Sequence, residues 1–135
     1  MIRLLYISET TVEMSAEQIQ TIKEQSQRNN AMLGITGLML TRGCVFAQVL
    51  EGPELNVLRL YVKIMEDSRH FNCKLVHISP VKELLFKDWF MAVLDATPLE
   101  FERIAEMRAR REESVPSVAF TELMQQFIVR LKEKQ

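Results

Sequence analysis

Two hydrophobic periods alternate along the 135-residue chain, and each change of period marks an element boundary. Short apolar runs at 2–8 (IRLLYIS), 35–41 (ITGLMLT), 45–51 (VFAQVLE), 74–79 (KLVHIS) and 89–94 (WFMAVL) predict five strands. The second and third flank Arg42-Gly43-Cys44, which reads as a hairpin connection. Elsewhere the period widens to that of a helix. Ser15-Ala-Glu-Gln18 is a capping box with Met14 and Ile19 placed as a hydrophobic staple, opening a helix to about residue 30 that Gly34 breaks. Gly52-Pro53 turns the chain into a second helix, ending near EDSRH, with Val57, Tyr61, Ile64 and Met65 as its inner stripe. Thr97-Pro98-Leu99-Glu100 puts a cap, a proline and a glutamate in order, predicting a third helix over 98–112 with Phe101, Ile104 and Ala105 inward. After the breaker SVPS (114–117), a helix over 118–133 aligns Phe120, Leu123, Met124, Phe127, Ile128 and Leu131 on one side.

The order β-α-β-β-α-β-β, then two helices, predicts an α+β fold: a ferredoxin-like βαββαβ sandwich with an added fifth strand and two C-terminal capping helices. In that plan the first two helices cover one sheet face and leave the other to the helices of 97–135. The stripe of the last helix is expected to exceed what that face takes up, leaving an apolar patch for a partner.

The departures from the pattern carry the functional information. Ile22, Ser26 and Asn30 advance round the first helix by only about 40° per step, so two polar side chains continue an apolar stripe. Gln48 shares a face of the third strand with Phe46 and Leu50, and Tyr6 shares a face of the first with Ile2 and Leu4. Because the first and third strands lie side by side in this plan, Tyr6, Ser26, Asn30 and Gln48 converge between sheet and first helix. Taken singly each has a plain explanation: Asn30 fits a helix C-cap, Ser26 a bond to its own helix, Tyr6 a core tyrosine. A buried mid-strand glutamine is harder to explain, and four convergent polar groups in apolar surroundings fit a polar planar ligand.

Composition narrows the classes. A formal net charge of -1 gives no electrostatic footprint for nucleic acid. Two cysteines, Cys44 and Cys73, are too few for a disulfide framework or a four-ligand zinc site and suit a reducing, cytoplasmic setting. His70 and His77 lack metal-ligand spacing, and the chain contains neither GxGxxG nor a P-loop. The run RARREE is mixed in sign, as in a solvated face.

LLYIS, SQRNNAMLGITGLML, FAQVLEG, LYVKIMEDSRH and WFM, in one register from residue 2 to about 94, resemble the BLUF family of blue-light sensors that use FAD. The resemblance implies a flavin-binding photosensory domain over 1–96 and a helical output extension over 97–135. It makes Tyr6 the photochemical tyrosine and Gln48 the switching glutamine. Asn30 corresponds to the side chain gripping the polar edge of the ring, Ser26 to the same contact row, and Arg69 and His70 to residues near the ring and the ribityl-phosphate entrance. Trp89 and Met91 match a fifth-strand pair linked to signalling, and Met91 is expected on the strand beneath the C-terminal cap. Leu84 stands where many members carry an arginine, and Thr41 and Ala47 where aromatics are common. NCKL (72–75) lacks the flanking residues of the cysteine motif found in light-oxygen-voltage domains.

The expected activity is therefore photoreception rather than enzymatic turnover, with Gln48 rotation and tautomerisation both open as the switching event. As in short family members, output is expected through oligomer state, a homo-oligomer included, or through a separate protein partner. The alternatives are a ferredoxin-like regulatory module binding a non-flavin metabolite and a small flavoprotein reductase.

Overall fold

The strands are β1 (Ile2–Thr10), β2 (Thr36–Arg42), β3 (Val45–Gly52), β4 (His70–Pro80) and β5 (Ala92–Asp95). They form one sheet in the order β4-β1-β3-β2-β5. The helices are α1 (Ala16–Leu33), α2 (Glu54–Glu66), α3 (Pro98–Ala109) and α4 (Ser117–Lys134). A computed structural model describes residues 1–109 and 117–135. The SVPS breaker up to Pro116, the end of RARREE and the expected extension of the third helix to 112 lie outside the described residues.

Local chemistry sets several boundaries. Ser15 Oγ accepts from the Gln18 backbone N–H at 3.1 Å while Gln18 Oε1 accepts from the Ser15 N–H at 2.8 Å, closing the capping box of α1. Gly34 ends the helix at φ 69°, a left-handed conformation costly for a residue with a Cβ, and its N–H donates to the Asn30 carbonyl. Asn30 is therefore not the cap, and α1 runs past the expected residue 30 to Leu33. Thr97 and Glu100 repeat the capping box at α3, with backbone-to-side-chain bonds of 2.8 and 3.2 Å.

The sheet separates two apolar clusters. One contains Leu4, Tyr6, Met39, Phe46, Leu50, Val57, Tyr61 and Met91, with Ile19 and Ile22 of α1 packed against it. The other joins Leu5, Leu38, Val49 and Phe86 to Ile104 of α3 and Phe127 of α4. The ferredoxin-like plan with its C-terminal cap is thus present, one helical pair on each face.

Four expectations are corrected. Residues 89–91 precede β5 rather than form part of it, because regular pairing with β2 starts at Ala92 opposite Leu38. Met65 is 44% exposed; the second helix turns inward at Val57 and Tyr61. Ala105 is exposed and Met107 takes the buried position of α3. All six stripe residues of α4 are buried, so the sheet face takes up the whole stripe and no patch of them remains.

Candidate functional site

Antiparallel pairing of β1 with β3 places Tyr6 directly opposite Gln48. The Tyr6 hydroxyl donates to Gln48 Oε1 at 2.5 Å, and Gln48 Nε2 in turn faces Met91 Sδ at 3.4 Å. A neutral amide has one accepting and one donating end, so it links the phenol to the thioether in a single direction. Tyr6 is fully buried. Burial, followed by the influence of Cys73, Tyr61 and Asp67, pushes its pKa well above the ordinary tyrosine value, so the phenol keeps its proton. The Tyr61 ring lies 5.2 Å from that of Tyr6.

α1 supplies the opposite wall. Asn30 Nδ2 donates to the Phe90 carbonyl at 2.7 Å and Gln27 Nε2 to the Met91 carbonyl at 3.1 Å. Asn30 is the buried residue of α1, although Ile19 and Ile22 are more apolar. Its polar stripe therefore serves to tie the helix to the backbone just before β5 as well as to face the cavity.

At the end of α2 the chain turns through Asp67 into β4. Asp67 accepts from Arg69 at 2.6 Å, and this pairing holds the carboxyl at a pKa of about 2 and raises that of Arg69. His70 Nδ1 lies 3.0 Å from Ser8 Oγ and its ring stands edge-on to Phe46. Burial, the largest influence, lowers the His70 pKa, which favours the neutral imidazole. Burial also raises the pKa of Cys73, which lies in β4.

Tyr6, Ser26, Asn30, Gln48, Arg69 and His70 line one cavity of about 120 Å³, with Ile22, Met39, Phe46, Leu60 and Ile64 as its apolar walls. Ile22 and Arg69 also border a larger cleft of about 660 Å³, whose lining includes Thr10, Ser15, Glu17 and Thr21. The six residues expected from the sequence therefore meet at one place. Met91 lies behind Gln48 in the cluster on the α1 and α2 face and not beneath the C-terminal cap, whereas Trp89 packs against the cap cluster. Sequence reasoning missed Asn29, also a lining residue, which differs from Asn30 only in its angle round the helix.

The donor set suits a flavin. The cavity combines the Asn30 and Gln48 amides, bonded to Phe90, Tyr6 and Met91, the Ser26 hydroxyl and the Arg69–Asp67 ion pair with apolar walls, a mixture that fits a planar ring with a polar edge.

Comparison with known proteins agrees with this geometry. The family model described as "Sensors of blue-light using FAD" matches residues 1–92, more than half of the chain. The beta subunit of photoactivated adenylate cyclase from Euglena longa is 41% identical over 80 residues, covering 59% of this chain and 9% of that protein. The blue light- and temperature-regulated antirepressor BluF of Escherichia coli (strain K12) is 35% identical over 69 residues, covering 51% of this chain and 17% of its own. This chain thus spans only a minor part of those relatives. The dark-state structure of BlrB, a BLUF protein, superposes with a TM-score of 0.75 at 26% identity, covering 96% of both chains. The photo-activated state of BlsA shares the fold with a TM-score of 0.74, covering 93% of this chain and 92% of that one. With the fold, the cavity and the family model in one register, the chain belongs to the BLUF family of blue-light sensors.

Proposed function

We propose that this protein is a blue-light photoreceptor that holds FAD noncovalently and signals by rearranging the hydrogen bonds of Tyr6 and Gln48. The observation that carries the reading is the buried series Tyr6–Gln48–Met91, whose first two members line a cavity with amide, hydroxyl and charged groups. When bound, an excited flavin supplies a strong oxidant. Tyr6 would be the donor this chemistry draws on, its electron going to the flavin and its hydroxyl proton to Gln48 Oε1, the acceptor 2.5 Å away. Gln48 would then either rotate or pass to its imidic tautomer, Oε1 keeping the proton from Tyr6 while Nε2 gives one up to the flavin, and the return step would reverse both transfers. Rotation swaps the two ends of the amide, so the side chain takes Nε2 away from Met91 Sδ and presents it to the Tyr6 oxygen.

Asn30 and Ser26 orient the ring edge, His70 borders the same cavity, and Arg69 meets the ribityl-phosphate chain. The cleft beside Arg69 offers room for the rest of FAD. Met91 and Trp89 relay the change, since they lie two residues apart on opposite faces of the sheet. Residues 1–96 serve as the photosensory part and 97–135 as the output part, acting on a separate protein or a second copy of this chain. The protein works as a sensor and not as a turnover enzyme. No helix among the described residues is long and apolar enough to cross a membrane, in keeping with the cytoplasmic setting we infer. Membership of the BLUF family leaves the non-flavin metabolite reading disfavoured.

Reconstitution with FAD followed by blue illumination tests this reading. A reversible red shift of the flavin absorption is expected, retained flavin without that shift in Tyr6→Phe and Gln48→Leu, and weaker flavin retention in Asn30→Ala. Failure to take up flavin, or a normal photocycle in Tyr6→Phe, overturns it.

A further inference from the structure

The layer between the sheet and the C-terminal cap is mostly apolar, but among its buried polar groups is the ion pair of Arg3 with Glu51. Arg3 Nε donates to Glu51 Oε2 at 2.7 Å, and Glu51 is fully buried. The Glu51 carboxylate also accepts from the backbone N–H groups of Leu85, at 3.1 Å, and Phe86, at 2.7 Å. Arg3 makes a further bond to the Glu83 carbonyl at 3.2 Å and places its guanidinium 5.7 Å from the Phe120 ring centre in α4. Phe120 is stacked on His77 of β4 at 4.2 Å.

These contacts grip the connection between β4 and β5 at one end. The other end is gripped from the cavity side by Gln48, Asn30 and Gln27. Between the two, the Phe86 carbonyl accepts from the Trp89 N–H at 3.0 Å, and the Trp89 carbonyl accepts from the Gly37 N–H at 3.0 Å. Phe86 is thus joined through its N–H to Glu51 and through its carbonyl to Trp89. Such a buried pair adds little net stability over apolar side chains of similar volume. It does what no apolar side chain can: it fixes two N–H groups of irregular backbone, so a displacement at Met91 turns the segment instead of being absorbed by bending.

We propose that Glu51, with Arg3, is a positioning residue of the output route, clamping the 83–86 end of this connection so that movement released at Met91 reaches Phe120 and α4. The inference rests on the photosensory reading above and adds the route. Gln48 and Glu51 lie three residues apart on β3 with side chains on opposite faces, so one strand carries both the switch and the clamp.

The test uses the full chain loaded with FAD, comparing light-minus-dark hydrogen exchange over 120–134 in wild type, Glu51→Gln, Arg3→Lys and Phe120→Leu. Phe120→Leu keeps an apolar residue in the cap and decides the matter if the buried-charge variants fail to fold. The expected result is a normal red shift in each folded variant, with the light-induced exchange difference in α4 reduced by roughly threefold to tenfold. A merely structural clamp would change dark-state protection and leave the light-minus-dark difference intact. That outcome, with a normal red shift, overturns the route alone. A wild type without any red shift removes the photosensory reading and the route with it.

Discussion

α1 and α4 are both 18 residues long and pack on opposite faces of one sheet, yet they bury very different amounts of themselves. α4 buries Phe120, Leu123, Met124, Phe127, Ile128 and Leu131, whereas the buried residue of α1 is Asn30. The cap helix is held by its own apolar stripe and by an ion pair in which Arg130 forks onto Glu100 of α3 and donates to the Asp95 carbonyl at 2.9 Å. The cavity helix is held by its ends and by two side-chain bonds to the backbone of residues 90 and 91. One face of the sheet is finished by the chain itself; the other leaves room for a ligand. This division suits a sensor, because a face completed by a cofactor responds to the cofactor's state while the opposite face keeps the fold intact.

The largest expected effect sets the two helices against each other. Phe127→Ala removes a fully buried ring from the cap cluster and should cost about 3–5 kcal/mol. Ile22→Ala, in a partly exposed position, should cost about 1 kcal/mol or less in flavin-free protein. Thermal or urea unfolding checks both, and equal losses would break the comparison.

Next in size is the ligand itself. Free FAD at a hundred times its dissociation constant should stabilise the protein by about 2.7 kcal/mol. Amide exchange should slow mainly in α1 and the start of β4, with α4 little changed. Protection gained chiefly in α4 would mean that the cap, and not α1, is the face completed by the cofactor.

The capping boxes come third. Thr97→Ala and Ser15→Ala each lose a side-chain acceptor for a helix N–H, at a cost of about 1 kcal/mol. The loss at Thr97 should appear in global unfolding. At Ser15 it should appear mainly as faster exchange in the first turn of α1, because that helix has little burial to couple its end to the rest.

The smallest effect concerns pH. His70 on the cavity side and His77 on the cap side both have pKa values lowered by burial from the ordinary 6.5. Because the unfolded chain takes up protons first, both contributions are present above about pH 6.5 and are lost as the pH falls through the folded values. NMR titration of the ring protons should find both below 6.5, and FAD should depress His70 further while leaving His77 unmoved. Equal responses to FAD would erase the distinction between the faces.

Much of this was legible before any coordinates, for identifiable reasons. The α4 stripe follows from a 3.6-residue period, both capping boxes from four-residue patterns, and the convergence of Tyr6, Asn30 and Gln48 from strand alternation combined with one topology. The stripe and the capping boxes are short-range regularities that the residues themselves specify, whereas the convergence also needed the expected neighbourhood of β1 and β3. Met65 and Ala105 were misplaced because a stripe defines a direction and not its width; how far a neighbour wraps a helix decides which edge of the stripe is covered.

The connection between β4 and β5 shows what the tertiary structure alone decided. Residues 89–91 read as the start of a strand, yet they have no regular pairing, so no alternation assigns Met91 to the cavity or Trp89 to the cap. Their sides are chosen by bonds from distant residues: Gln48, Asn30, Gln27 and Gly37 at one end, Glu51 at the other. Arg3 and Glu51 are 48 positions apart and meet only because β1 and β3 are neighbours in the sheet. Local sequence determined the elements and the direction of Tyr6, Ser26, Asn30 and Gln48 within them, since periodicity and capping act over a few residues, while Arg69 and His70 were reached only through the family resemblance. Which side of the sheet an aperiodic segment reaches was decided by the assembled fold, because only there do its backbone groups find their partners.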